Sequence, residues 1–139
     1  MRTYWDTSAA VNAVISPEVF GRLDSGEHVA SLHLLAEFFA TMTGRGVKIT
    51  NAAGQTDRIV LSQNECAAWL KTFAEKIQFE ELTKDEALKA IEKAQSLSVQ
   101  GARIYDYWHA LVAAKAKSYE LITRKTRHFQ GLAENVAWP

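Results

Sequence analysis

Cysteine is nearly missing from this sequence. Cys66 is the only one in 139 residues, which excludes an intramolecular disulfide and any metal site built from several thiolates. A reducing compartment suits such a chain. Net charge is missing as well, because 16 Lys and Arg balance 16 Asp and Glu. No field of one sign draws the whole molecule to nucleic acid, and any such binding has to come from a local cluster. No stretch approaches the roughly 20 apolar residues of a membrane span, and the opening Met1-Arg2-Thr3-Tyr4-Trp5-Asp6 has no apolar run of signal-peptide length. Repeats, low-complexity tracts and linkers are absent too. The expectation is a soluble, cytoplasmic protein.

What is present is core material. The chain is 47% hydrophobic and carries four Trp, four Tyr and six Phe, enough to bury one sizeable core and too little for a second. A single domain over residues 1–139 follows. Charge is unevenly spread: residues 100–139 hold six bases (Arg103, Lys115, Lys117, Arg124, Lys125, Arg127) against three acids (Asp106, Glu120, Glu134), so that stretch is locally cationic.

The pattern predicts alternating strands and helices. Thr3-Tyr4-Trp5 is a short aromatic and β-branched run, and Thr7 and Ser8 offer hydroxyls to cap the helix that begins at Ala9. Pro17 starts a second helix, and Gly26 precedes a strand at 28–31. Leu35, Phe38, Phe39 and Met42 recur at helical spacing until Gly44 and Gly46. Residues 44–61 show no clear period and read as a loop. Ser62 with Glu65, and Thr83 with Glu86, are capping boxes that open two further helices. The first carries Cys66, Trp69, Leu70, Phe73 and Ile77 on one face, a core stripe or partner groove; the second runs to about Leu97. Strands are predicted at 78–82, 119–123 and 135–138, a helix at 104–118 and a short helical turn at 124–132. The last long helix puts Ile104, Trp108, Leu111 and Val112 on one face and Asp106, Ala110, Ala113 and Lys117 on another. Alternation of this kind implies an α/β fold, a short, mostly parallel sheet covered by helices on both faces.

Four pieces of the chain, in order, resemble the PIN-domain family and within it the VapC-type toxin ribonucleases. They are Tyr4-Trp5-Asp6-Thr7-Ser8, the segment from Ser31 through Glu37, the segment from Val99 through Ala114 around Ile104-Tyr105-Asp106, and Leu121-Ile122-Thr123-Arg124 followed by Arg127-His128-Phe129. The resemblance implies a PIN-like three-layer fold and a metal-dependent endoribonuclease that hydrolyses RNA phosphodiester bonds. It further implies Asp6, Glu37 and Asp106 as ligands of Mg2+ or Mn2+. A hard divalent cation prefers oxygen donors, acidifies a bound water and offsets the charge of a phosphodiester. A small antitoxin protein whose tail lies in the acidic groove, and a homodimer, are the partners it implies.

Read from residues alone, each position keeps a second meaning. Asp6, at a strand end before a helix, suits a ligand of an open α/β sheet or a helix cap. Asp106, in a first turn, is also where an ordinary acid is favoured by the helix dipole. Glu37 lies roughly opposite its helix's apolar stripe, which by periodicity makes it a solvated acid. Ser8 and Thr123 fit hydroxyls that steady Asp6, or a cap and a β-branched strand residue. Arg124, Lys125 and Arg127 fit RNA phosphates or a solvated turn. Tyr105, Tyr107 and Trp108 offer stacking faces for bases, although Trp108 suits the core. Ala110 and Ala113 are small enough to admit close approach on the Asp106 face. His33 and His109 read as structurally neutral.

The chain departs from the family in one place. Lys125 and His128 stand where relatives carry Asn and then Asp, so a fourth acidic ligand is missing and a second metal loses its support. That departure motivates the alternative, a catalytically weak or inactive PIN-like module acting by protein or RNA binding. A flap-processing DNA nuclease fits less well with so small a chain.

Overall fold

In the strands at the centre of the protein, successive side chains enter opposite cores. The computed structural model describes residues 1–138. In chain order the first half is β1 (Arg2–Trp5), α1 (Thr7–Ala13), α2 (Pro17–Gly21), β2 (Glu27–Ser31), α3 (His33–Thr43), β3 (Val47–Thr50) and β4 (Thr56–Ile59). The second half is α4 (Gln63–Glu75), β5 (Gln78–Glu80), α5 (Lys84–Lys93), α6 (Arg103–Lys115), β6 (Glu120–Ile122) and β7 (Val136–Ala137). Trp5, Ala30 and Ile122 pack with α1, α3 and α4, whereas their neighbours Tyr4, Val29 and Leu121 pack under α6. Because strand side chains alternate with period two, this split requires a helical layer on each face. The result is a three-layer α/β fold.

The central sheet has five strands in the order β5-β2-β1-β6-β7, and every pairing in it is parallel. The chain builds outward from β1 to β2 and β5, then returns to the other side of β1 as β6. Connections therefore diverge between β1 and β6, the kind of switch point outside whose carboxyl ends open α/β sheets form their crevices. Asp6 and Thr123 are the residues immediately after these two strands.

The helix boundaries follow their caps. Ser62 and Thr83 each accept a hydrogen bond from the amide three residues on, and the Glu65 and Glu86 carboxylates accept one from the cap amide, so both capping boxes form. The helix expected to run to Leu97 ends at Lys93, and a tight turn covers Gln95–Leu97. The 124–132 turn narrows to Thr126–Phe129. In α4 the predicted apolar face is core: Phe38 stacks on Trp69 at 4.6 Å and Trp69 on Phe73 at 5.2 Å, and Phe73 meets Trp5 edge-on at 5.7 Å.

Three expectations need correcting. Residues 44–61 are not a plain loop, since β3 and β4 pair antiparallel as a separate hairpin. The hairpin's short strands, with Asn51, Gly54 and Gln55 in its turn, show too brief an alternation to stand out. In α3 the buried stripe is Leu34, Phe38 and Met42, and Phe39 is 41% exposed. In α6 the buried set is Tyr107, His109, Ala110, Val112 and Ala113. Ala110 and Ala113 let this helix lie close on Tyr4, Val29 and Leu121, so their smallness serves sheet packing. Tyr107 is buried and donates its hydroxyl to the Ala90 carbonyl, while Tyr105 is exposed. Among the described residues no helix is long and apolar enough to cross a membrane.

Candidate functional site

Asp6 leaves β1 with its amide donating to the Ile122 carbonyl at 3.1 Å, which pins it beside the end of β6. It occupies the N-cap position of α1, yet its side chain makes no capping bond. The carboxylate turns instead toward β6. Its Oδ2 accepts from Ser8 Oγ at 2.9 Å and from Thr123 Oγ1 at 2.7 Å. Each hydroxyl is itself held, since Ser8 Oγ accepts from the Arg124 amide and Thr123 Oγ1 from the Lys125 amide, both at 3.0 Å. Asp6 is 4% exposed, and two hydroxyl donors offset its desolvation. Thr7, one residue on, points the other way and donates to Glu37 Oε1 at 2.9 Å.

Glu37 reaches the site because of its neighbours in α3. Leu34, Phe38 and Met42 are fully buried, and burying three such side chains contributes roughly 5–9 kcal/mol before ordering costs. That sets the rotation of the helix and swings Glu37 to the edge of the core, where its side chain keeps 27% exposure. Periodicity alone left it in water; the structure places it against Thr7 and His109.

His109 is the site residue that the sequence reading missed. Its ring is 1% exposed, and Nε2 lies 2.6 Å from Glu37 Oε1 and 3.6 Å from Asp6 Oδ1. Nδ1 is hydrogen-bonded to the Tyr4 hydroxyl, which in turn accepts from the Ser31 amide at 3.2 Å. With a neutral ring the relay runs Ser31 N–H to Tyr4 Oη, Tyr4 O–H to Nδ1 and Nε2–H to Glu37; a protonated ring donates from both nitrogens, Nδ1–H to Tyr4 Oη and Nε2–H to Glu37. Burial by itself lowers the His109 pKa, but the Glu37 hydrogen bond and the charges of Asp6, Glu37 and Asp106 carry it above the ordinary 6.5. Glu37 moves the opposite way. Burial raises it, and the bonds from His109 and Thr7 with the His109 charge bring it below 4.5. Burial, then the Asp6 charge, push the Tyr4 phenol well above its usual value. The one available signal is position: His109 is one turn beyond Asp106 on a helix whose apolar spacing points a few residues away from the face it buries.

Asp106, in the first turn of α6, completes the acidic side. Burial and the charge of Asp6 raise its pKa, while His128, Lys125 and His109 oppose the rise. His128 Nδ1 stands 3.4 Å from Asp106 Oδ2, so the residue in the place of a fourth acid is a neighbour of the third. His33 also borders the group, with Nε2 at 3.6 Å from Glu37 Oε1 and its ring stacked on Tyr105 at 5.2 Å.

Asp6, Glu37 and Asp106 all line one cleft of about 710 Å³, together with Ser8, Arg124 and Lys125. Arg127 lies outside it, exposed on the turn beyond Lys125. Lys48 and Arg58 of the hairpin line it as well; their segment shows no period in sequence that would mark them. A second cleft, about 700 Å³, lies by the amino end of β6 around Ala110, Leu121 and Leu132. It brings together none of these acids, and its volume alone gives it no chemistry.

The three acids suit a hard divalent cation by donor type, and the repulsion between Asp6 and Asp106 is what such a cation would relieve. Their spacing is wider than a closed ligand shell: among the described residues no three His, Cys, Asp or Glu side chains converge closely enough to grip a metal ion. The His109 imidazole stands between Asp6 and Glu37. Compared with the known protein families and with the curated proteins, the sequence matches none.

Proposed function

We propose that this protein is a metal-dependent endoribonuclease of the PIN-domain kind, acting as the toxin of a toxin–antitoxin pair. The observation that carries the reading is the shared cleft: Asp6, Glu37 and Asp106, from three distant segments, line it at the carboxyl ends of β1 and β6 beside the cations of Arg124 and Lys125. Drawn closer than they stand here, Asp6, Glu37 and Asp106 would hold Mg2+ or Mn2+, which would supply charge neutralisation at the phosphodiester and acidify a water. The chain's own residues do the rest. Ser8 and Thr123 hold the Asp6 carboxylate in one orientation. His109 positions Glu37 and, through Tyr4, ties it to the end of β2. Arg124 and Lys125 attract the phosphate backbone. The resemblance extends to partners: a small antitoxin whose tail fills the cleft, and a second copy of this chain.

The deciding experiment is RNA cleavage with and without Mg2+, in the wild type and in Asp6→Asn. Cleavage that needs the cation and disappears in the variant is expected; full activity in Asp6→Asn removes the reading. A second reading has its own support, because the carboxylates are more widely spaced than a ligand shell and His109 lies between two of them. On it the protein binds RNA or protein without cutting. Calorimetry decides: no heat of Mg2+ or Mn2+ binding at millimolar concentration, with no cleavage, favours the binding module.

A further inference from the structure

The β3–β4 hairpin sets two cations directly opposite each other. In its antiparallel register Lys48 faces Arg58 and Thr50 faces Thr56, while Val47 faces Ile59 and Ile49 faces Asp57. Side chains alternate, so these pairs define two faces. Val47 and Ile59 belong to the packed face, seated on the core of α1, α3 and α4. The hairpin base is tied to α3 by the Gly46 amide on the Thr41 carbonyl at 2.7 Å and the Leu61 amide on the Met42 carbonyl at 2.8 Å. Lys48, Thr50 and Arg58 share the other face, and all three border the cleft that holds Asp6, Glu37 and Asp106.

Like charges at a directly opposed cross-strand position destabilise a hairpin. No carboxylate pairs with them: among the described residues neither Lys48 nor Arg58 forms an ion pair, Arg58 donating only to the Arg45 carbonyl at 3.2 Å, and neither do Arg124 and Lys125 on the other wall, where Arg124 donates to Asn12 Oδ1 at 2.6 Å. The cleft thus has cations without ion pairs on two walls and carboxylates between them. Such a layout suits a ligand that is anionic at regular intervals, with anions to spare on both sides of the point that meets the acids. Val11 and Val47 are the only larger apolar side chains of the lining, which leaves no pocket for the aromatic or aliphatic anchor on which peptide recognition depends.

We infer that the β3–β4 hairpin is a substrate arm whose Lys48 and Arg58 bind successive phosphates of a single-stranded RNA, holding the strand across the acidic floor against Arg124 and Lys125. The inference rests on the nuclease reading for the identity of the strand, but it concerns binding and is tested apart from cleavage.

The test is equilibrium binding of a labelled, unstructured oligoribonucleotide in EDTA over a salt series, for the wild type, Lys48→Gln/Arg58→Gln and Lys48→Arg/Arg58→Lys. Each single-strand phosphate contact contributes about 0.7 to the slope of log affinity against log salt, so the neutralised variant should lose about 1.4 of that slope and bind about tenfold more weakly at low salt. The charge-preserving variant should bind as the wild type does. Thermal melting supplies a second readout: relief of the opposed charges should leave the neutralised variant as stable as the wild type or more so, whereas a merely structural pair would lower the melting temperature. Equal RNA affinity and equal salt slope in the neutralised variant overturn the arm while leaving Mg2+-dependent cleavage as a separate result. Displacement of the RNA by polyglutamate at matched charge concentration also overturns it, in favour of an acidic peptide. Absence of RNA binding by the wild type overturns it too, and the cleavage assay then decides whether the nuclease reading falls with it.

Discussion

His109 Nε2 lies 2.6 Å from Glu37 Oε1 and 3.6 Å from Asp6 Oδ1, so one buried ring separates two acids that line the same cleft. The pair moves both pKa values apart, with Glu37 held below 4.5 and His109 above 6.5. A depressed acid contributes stability above its unfolded pKa and loses it as pH falls through the folded value; an elevated base contributes below its unfolded pKa and loses it as pH rises through the folded value. Both contributions are complete between 4.5 and 6.5. Melting temperature should therefore plateau there and decline on either side. In His109→Gln the alkaline decline should flatten, while part of the acid decline survives because Glu81 and Glu86 are also held low. An unchanged alkaline limb in that variant would show that the ring contributes nothing to it.

Asp106 should separate function from stability. Burial and the nearby Asp6 charge raise its pKa above 3.8, so its ionised form costs stability at neutral pH. Asp106→Asn removes that cost and should raise the melting temperature by about 2–4 °C, on the scale of 1 kcal/mol for a domain somewhat larger than this. Cleavage should fall by about 100-fold or more, the usual loss when charge stabilisation at a reacting centre is removed. A variant that melts lower and still cuts RNA contradicts both halves.

Gly46 is required by the approach of the two hairpin strands. Its φ is +72°, and a Cβ there would lie 2.1 Å from the Ile59 carbonyl oxygen. Gly46→Ala should cost about 1–3 kcal/mol, measured as a lower urea midpoint. Gly54, at φ +80° but with open space around a Cβ, should lose less on the same change. Equal losses at the two positions would mean that the clash is relieved by movement of β4.

Cation loading should be visible without any substrate. A ligand that binds only the folded state at 100 times its dissociation constant stabilises by about 2.7 kcal/mol, so Mg2+ or Mn2+ should raise the wild-type melting temperature and leave Asp6→Asn unmoved. On the proposed nuclease function, EDTA should abolish cleavage and added Mg2+ should restore it. Equal thermal shifts in wild type and variant would place the cation elsewhere.

The layering of the fold was legible in the order of its elements. Short apolar or aromatic runs alternate with capped helices, and the capping boxes at Ser62 and Thr83 form as their spacing requires, because such bonds involve residues within one turn. The hairpin was not legible: its strands are four residues each, too short for a period to emerge, and its pairing depends on seating Val47 and Ile59 in a core assembled from remote helices. The same limit applied at the site. Asp6 and Asp106 were candidates through the family resemblance; their places at element ends agree with a ligand but equally with a cap and an ordinary first-turn acid.

By itself the sequence determined the strands and helices of the three layers, their alternation and therefore a sheet covered on both faces, since propensity, capping and periodicity act over a few neighbouring residues. Only the tertiary structure decided which way Glu37 faces, that His109 lies between it and Asp6, and that Lys48 and Arg58 look across at the acids. Those outcomes depend on how α3, α6 and the hairpin rotate and settle against a shared core, and the energy that governs this comes from burial summed over side chains far apart in the chain.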